Sequence, residues 1–63
     1  MKTGIYETDY GNAAVVCEDI SREFAWDLDS DDLIPMEVVT SKWVRNADEV
    51  ELEDFIYIME EDS

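Results

Sequence analysis

Sixty-three residues with eighteen acids, four bases and no histidine carry a formal net charge of −14 at pH 7. That balance excludes direct binding to DNA, RNA or anionic lipid, each of which depends on Lys and Arg, and a single cysteine without histidine leaves neither an internal disulfide nor a zinc cluster. The 46% hydrophobic content, with seven aromatics, separates the chain from a disordered acidic tail, so one folded acidic domain over 1–63 is expected.

Lys2 to Thr8 reads as a strand around Ile5 and Tyr6. Asp9-Tyr10-Gly11-Asn12 reads as a turn, because Gly11 and Asn12 both tolerate positive φ. Ala13 to Ile20, with the β-branched pair Val15-Val16, completes a hairpin. Arg22 to Leu28 alternates, with Phe24, Trp26 and Leu28 on one side and Glu23, Ala25 and Asp27 on the other, the pattern of a half-buried third strand. Asp29-Ser30-Asp31-Asp32 is a loop, and Pro35 bars a central strand position there. Ile34 to Val39 fits a helical turn capped by Asp32 or a bend into a strand, and Thr40 to Arg45 fits a fourth strand.

Over 47–60 two patterns compete. Leu52, Phe55, Ile56 and Met59 form the i, i+3, i+4, i+7 stripe of a helix. Asn46 or Asp48 would cap it, and Asp48, Glu49 and Glu51 suit the positive end of its dipole. Glu60, Glu61 and Asp62 would crowd the negative end, and Phe55 to Met59 also satisfies a strand. We adopt the helix. The expected fold is α+β: a small antiparallel sheet of three or four strands packed against one C-terminal helix.

No apolar run of the signal-peptide kind lies in Met1 to Thr8, and no segment reaches the length of a membrane helix, so a cytoplasmic protein is expected. A lone cysteine agrees with a reducing compartment. Cys17 sits in a strand pattern with Glu18 and Asp19 beside it and no cation to activate it, and reads as a structural thiol.

Phe24 to Asp29 ends a strand in Asp-x-Asp and so resembles the first motif of haloacid-dehalogenase-type phosphotransferases, in which one Asp attacks phosphorus and the next is acid/base. The Gly-Thr of that motif is missing, and 63 residues leave no room for the remaining machinery. The segment reads as an acidic strand exit. Asp27, Asp29 and Asp31 have the 1-3-5 spacing of a calcium loop, but position six is Asp32 instead of Gly and position twelve is Val38 instead of Glu. A solvated acidic loop is the better reading, with no metal ligand assigned. Nothing in the chain marks a nucleophile, a catalytic pair or a cofactor site, so neither an enzyme nor a cofactor is expected.

The acids themselves carry the stronger pattern. Asp27, Asp29 and Asp31 alternate with Leu28 and Ser30, and Glu49, Glu51 and Glu53 with Val50 and Leu52. Residues two apart in an extended segment lie about 6.6–6.8 Å from each other, and residues i and i+4 on a helix about 6 Å. Both are near the interval of successive phosphates, so such carboxylates can occupy the Lys and Arg positions that a protein turns to a nucleic-acid backbone. With Asp32 and Asp54, these make eight candidate partner-binding residues: Asp27, Asp29, Asp31, Asp32, Glu49, Glu51, Glu53 and Asp54. On a helix, Glu49 and Glu53 share a face and Glu51 points elsewhere.

In length, acid excess, aromatic content and lack of catalytic apparatus, the chain resembles small phage-encoded nucleic-acid mimics: anti-restriction proteins, anti-CRISPR proteins and inhibitors of DNA repair. The resemblance spans the whole chain and rests on no motif. It implies a non-catalytic inhibitor that blocks the basic DNA- or RNA-binding groove of a partner such as a CRISPR effector, restriction enzyme or repair enzyme. Tyr10, Trp43 and Tyr57 would be aromatic anchors at the rim. An antitoxin, immunity protein or subunit cap for a basic partner is a second reading. Adaptation of a small domain to high salt is a third, against which the abundant Ile, Trp, Tyr and Phe argue.

Overall fold

In the computed structural model, which describes residues 1–62, Gly11 at φ 86° closes the first hairpin. Strand β1 (Gly4–Thr8) passes into β2 (Ala13–Val16), with the Thr8 N–H donating to the Asn12 carbonyl at 2.8 Å. The second hairpin joins β3 (Phe24–Asp27) to β4 (Asp32–Pro35), and its turn places Asp31 at φ 57°, a left-handed conformation that Asp tolerates better than most residues. A single turn of 3-10 helix (Met36–Val38) then leads to β5 (Val39–Arg45), and the chain ends in helix α1 (Glu49–Glu61). The strands form one antiparallel sheet in the order β4-β3-β2-β1-β5.

The α+β architecture is as expected, but the sheet has five strands instead of three or four. The additional strand is β4. Pro35 is compatible with it because β4 lies at the edge of the sheet and Pro35 is its last residue, where a missing N–H costs little. Ile34–Val39, which fits a helical turn capped by Asp32 or a bend into a strand, is helical only as the 3-10 turn Met36–Val38; the cap is Pro35, and Asp32 instead begins β4.

That short turn dictates the shape of the sheet. β4 ends beside the start of β3 (Phe24 opposite Pro35), whereas β5 begins beside the end of β1 (Thr8 opposite Val39). In a flat sheet those two places would be about 25 Å apart, four strand spacings sideways and most of a strand length along. Three residues of 3-10 helix advance only about 6 Å. The sheet is therefore strongly coiled, and Met36–Val38 crosses its concave face as a strap. Hydrogen bonds pin both ends of the strap: the Met36 N–H donates to the Glu23 carbonyl at 2.9 Å, and the Asp9 N–H to the Val38 carbonyl at 2.8 Å.

Both faces of the sheet are consequently covered. On the concave side Tyr6, Ala14, Val16, Ala25 and Ile34 are buried beneath Met36, Val38 and Val39. On the other side Ile5, Val15, Cys17 and Trp26 are buried against Phe55 of α1, with Leu28, Leu33, Leu52, Ile58 and Met59 around them. The half-buried pattern expected for the third strand is thus corrected: Ala25 and Asp27 are fully buried, while Phe24 is exposed. Cys17 is a buried free thiol. Among the described residues, no helix is long and apolar enough to cross a membrane.

Gly4 is demanded by a close approach. The Trp43 ring lies where its Cβ would be, and the same ring meets Tyr6 edge-on at 5.5 Å between centroids. Gly4→Ala must displace Trp43 and disturb the β1–β5 pairing, so a loss of about 1–3 kcal/mol is expected, to be read as a lower urea midpoint with unchanged slope.

Candidate interaction surface

Of the eight residues singled out by spacing, Asp27 is not on the surface. It ends β3 and is fully buried. Its Oδ1 accepts the N–H groups of Asp29 (2.9 Å) and Ser30 (3.1 Å), and its Oδ2 accepts the Tyr10 hydroxyl (3.1 Å) and the Asn12 side-chain amide (3.0 Å). Burial pushes its pKa up, but the hydrogen bonds from Asn12, Ser30, Tyr10 and Asp29 outweigh burial and hold the carboxyl below the ordinary range. A charge so enclosed cannot face a partner. Asp27 is therefore a structural residue, because the β1–β2 turn folds over the end of β3 and supplies two of its donors.

The neighbouring acids are exposed but also bear on the turn. Asp29 Oδ2 accepts the Ala13 N–H at 2.9 Å, and Asp31 Oδ1 accepts the Trp26 indole N–H at 3.0 Å. The three carboxylates of the 1-3-5 spacing thus turn to different donors. Among the described residues, no group of three His, Cys, Asp or Glu is arranged to hold a metal ion. Asp32, exposed at the start of β4, lies opposite Asp27 in register.

Helix α1 divides its acids into two roles. Glu51 is half-buried and pairs with Arg45 at the end of β5, Nη1 to Oε1 at 2.9 Å and Nη2 to Oε2 at 2.7 Å. It also accepts the N–H of Asp48, the N-cap residue, at 2.9 Å. The guanidinium and this N–H lower the Glu51 pKa to about 2. Glu51 thus fastens the start of the helix to the sheet, and it is the second of the eight candidates with a structural role. Glu49, Glu53 and Asp54 are exposed. Glu49, Glu53, Tyr57 and Glu61 follow one another at i+4 intervals along the solvent face, a row of about 18 Å. Tyr57 hydrogen-bonds to Glu61, which raises the phenol pKa.

The last turn of α1 meets the β3–β4 turn. Asp31 and Asp32 from the turn, and Glu61 and Asp62 from the helix end, rim an open depression of about 560 Å³ together with Tyr10; Leu33, Ile34 and Ile58 line it as well. Two acidic segments some thirty residues apart in sequence are therefore gathered at one place. No basic residue lies in the last helical turn, so the negative end of the helix dipole adds to the same field. In the sequence, Glu60, Glu61 and Asp62 stand out only as a conflict with that dipole, and the conflict is the signal that leads to this surface. All the acids except Glu7, Asp27 and Glu51 are exposed, as are the three candidate aromatic anchors Tyr10, Trp43 and Tyr57.

No protein-family model matches the chain, and neither does any curated protein or solved structure.

Asp27→Asn keeps the shape of the side chain but turns an amide N–H₂ toward groups that are themselves donors. A loss of about 2–3 kcal/mol is expected, measured by urea unfolding at neutral pH. The pH dependence has a definite sign. Asp27 and Glu51 titrate lower when folded than when unfolded, so their contribution is complete above the unfolded carboxylate pKa of about 4. It is lost as pH falls through the folded values, for Glu51 about 2. Between pH 5 and pH 2, about the span of that loss, Glu51→Gln should lose less stability than the unaltered chain.

Proposed function

We propose that this protein is a non-catalytic inhibitor that stands in for nucleic acid and occupies the basic DNA- or RNA-binding groove of another protein in the cytoplasm. One observation carries the reading. Fifteen exposed acids cover a small scaffold, and the regular row on α1 and the acid-rimmed depression hold several of them in fixed places. Glu49, Glu53 and Asp54 would meet Lys and Arg side chains at intervals resembling those of phosphates. Asp31 and Asp32, with Glu61 and Asp62, would receive another basic side chain in the depression. Asp29, exposed in the same β3–β4 turn, would add to that charge.

The physical advantage of such a surface is preorganisation. Charges fixed on a folded helix lose less entropy on binding than charges on a flexible segment. Complementary charge also steers the two proteins together before contact, and salt screens that steering beyond about 8–10 Å. Tyr57 within the row and Tyr10 at the rim offer exposed aromatic surface of the kind that anchors protein interfaces. The rival reading, a cap on a basic protein that handles no nucleic acid, differs in one measurable respect: nucleic acid would not compete with it.

The partner retained from native cells by the immobilised protein should release it when duplex DNA or structured RNA is added. Retention at saturating nucleic acid would reject mimicry. Within the mimic reading, Glu49→Gln with Glu53→Gln should weaken inhibition more than Asp29→Asn with Asp31→Asn, by about tenfold or more in inhibitory concentration, or about 1.4 kcal/mol. Equal losses from both pairs would mean that only total charge matters.

A further inference from the structure

The charge of this chain is not spread evenly. Val38 to Ala47 is the longest stretch without an acid, ten residues in a chain where acids otherwise recur every few positions. That stretch is largely β5, whose residues Ser41 to Arg45 are all exposed. Three of the four bases gather there: Lys42 and Arg45 on β5 itself, and Lys2, whose Nζ lies 4.5 Å from the centroid of the Trp43 ring. Lys42 and Arg45 are matched by Glu7 at 3.6 Å and Glu51 at 2.7 Å, so this edge is close to neutral while most of the surface is negative. Trp43 and Val44 add exposed apolar area, 38% and 48% accessible.

β5 is also an open edge. β1 lies on one side of it and no strand lies on the other, so its outer backbone groups are available for pairing. The opposite edge, β4, begins at Asp32 and ends at Pro35, a charge and a missing donor that both oppose strand addition.

We infer that the β5 edge is the site at which two copies of this chain associate, by antiparallel β5–β5 pairing across a two-fold axis. A second copy fits for an electrostatic reason. Two chains of charge −14 repel each other, and acids lie near contact on most other approaches; β5 itself carries none, and the two acids beside it, Glu7 and Glu51, are each paired with a base. Backbone pairing supplies the bonds, and Trp43 and Val44 supply the apolar contact. The inference is independent of nucleic-acid mimicry. It leaves the outer row of α1 and the acidic depression available to a basic partner.

Salt provides the decisive sign. Binding to a basic partner weakens as salt rises, whereas association of two acidic copies strengthens, because the repulsion opposing it is screened. Sedimentation equilibrium over a wide concentration range should show a species of twice the 7.3 kDa chain mass. Its association should tighten roughly tenfold between about 0.05 and about 0.5 M NaCl. Val44→Glu and Lys42→Glu each place an acid on the edge and should abolish the dimer while circular dichroism stays unchanged. If one variant fails to fold, the other and the wild-type salt series decide. A chain that stays monomeric at every concentration and salt level overturns the inference. So does a dimer indifferent to both variants, or one lost instead on Ile56→Glu, in the apolar groove lined by Ile20, Ile56 and Met59.

Discussion

The buried carboxylate of Asp27 is the constraint on which the rest of the structure depends. Bringing a charge out of water is costly unless every lone pair finds a donor, and here four donors converge from two separate turns. Tyr10 and Asn12 come from the β1–β2 turn, and the Asp29 and Ser30 N–H groups from the β3–β4 turn. One side chain therefore locks the two hairpins in mutual position. The bond from the Trp26 indole to Asp31 extends the lock into the core. A chain with so much like charge needs such a fixed point, because neighbouring exposed acids 6–7 Å apart repel by about 0.6 kcal/mol in water before screening.

The acids thus serve two opposed purposes. Asp27 and Glu51 lie partly or wholly inside and are matched by donors, one joining hairpin to hairpin and the other joining helix to sheet. Most of the remainder face outward. Because the inner pair fixes the scaffold, the outer ones hold their spacing, and a regular display of charge needs that rigidity more than it needs further acids. Glu51 shows how context assigns the role: its neighbours Glu49 and Glu53 have the same chemistry and different surroundings.

Most elements were legible in the sequence. The alternation around Ile5, the Gly11-Asn12 turn, the β-branched Val15-Val16 and the 3.6-residue stripe of Leu52, Phe55, Ile56 and Met59 each lead to the observed element, although Ile56 of that stripe is exposed and Ile58 packs against the core instead. β4 was obscured because its first residue continues an acidic run and its last is Pro35, features that read as loop unless the strand is placed at an edge. Asp27 was misassigned for a different reason. Alternation separates two faces but does not say that both are covered, and at Asp27 the cover is the β1–β2 turn, whose Tyr10 and Asn12 reach over it from a distant part of the sequence. The continuous apolar run from Ala13 to Cys17 was the one local hint, since a strand buried on both faces loses its polar alternation. The meeting of Asp31 and Asp32 with Glu61 and Asp62 has no local signature, because it arises from where the helix lies across the sheet.

The pairing of β1 with β5 also has a bearing on how the chain folds. Ile5 and Arg45 face each other although forty positions apart in sequence, so the first strand gains its second neighbour only after most of the chain has been brought round. Closing so long a loop costs entropy before its contacts repay it, and topologies dominated by distant pairings fold slowly. During that interval the two hairpins present an unfinished edge at β1, with Ile5 and Tyr6 still incompletely enclosed. Partly folded chains of this kind ordinarily associate through such edges. Here each carries the same large negative charge, and mutual repulsion gives the slow step time to finish.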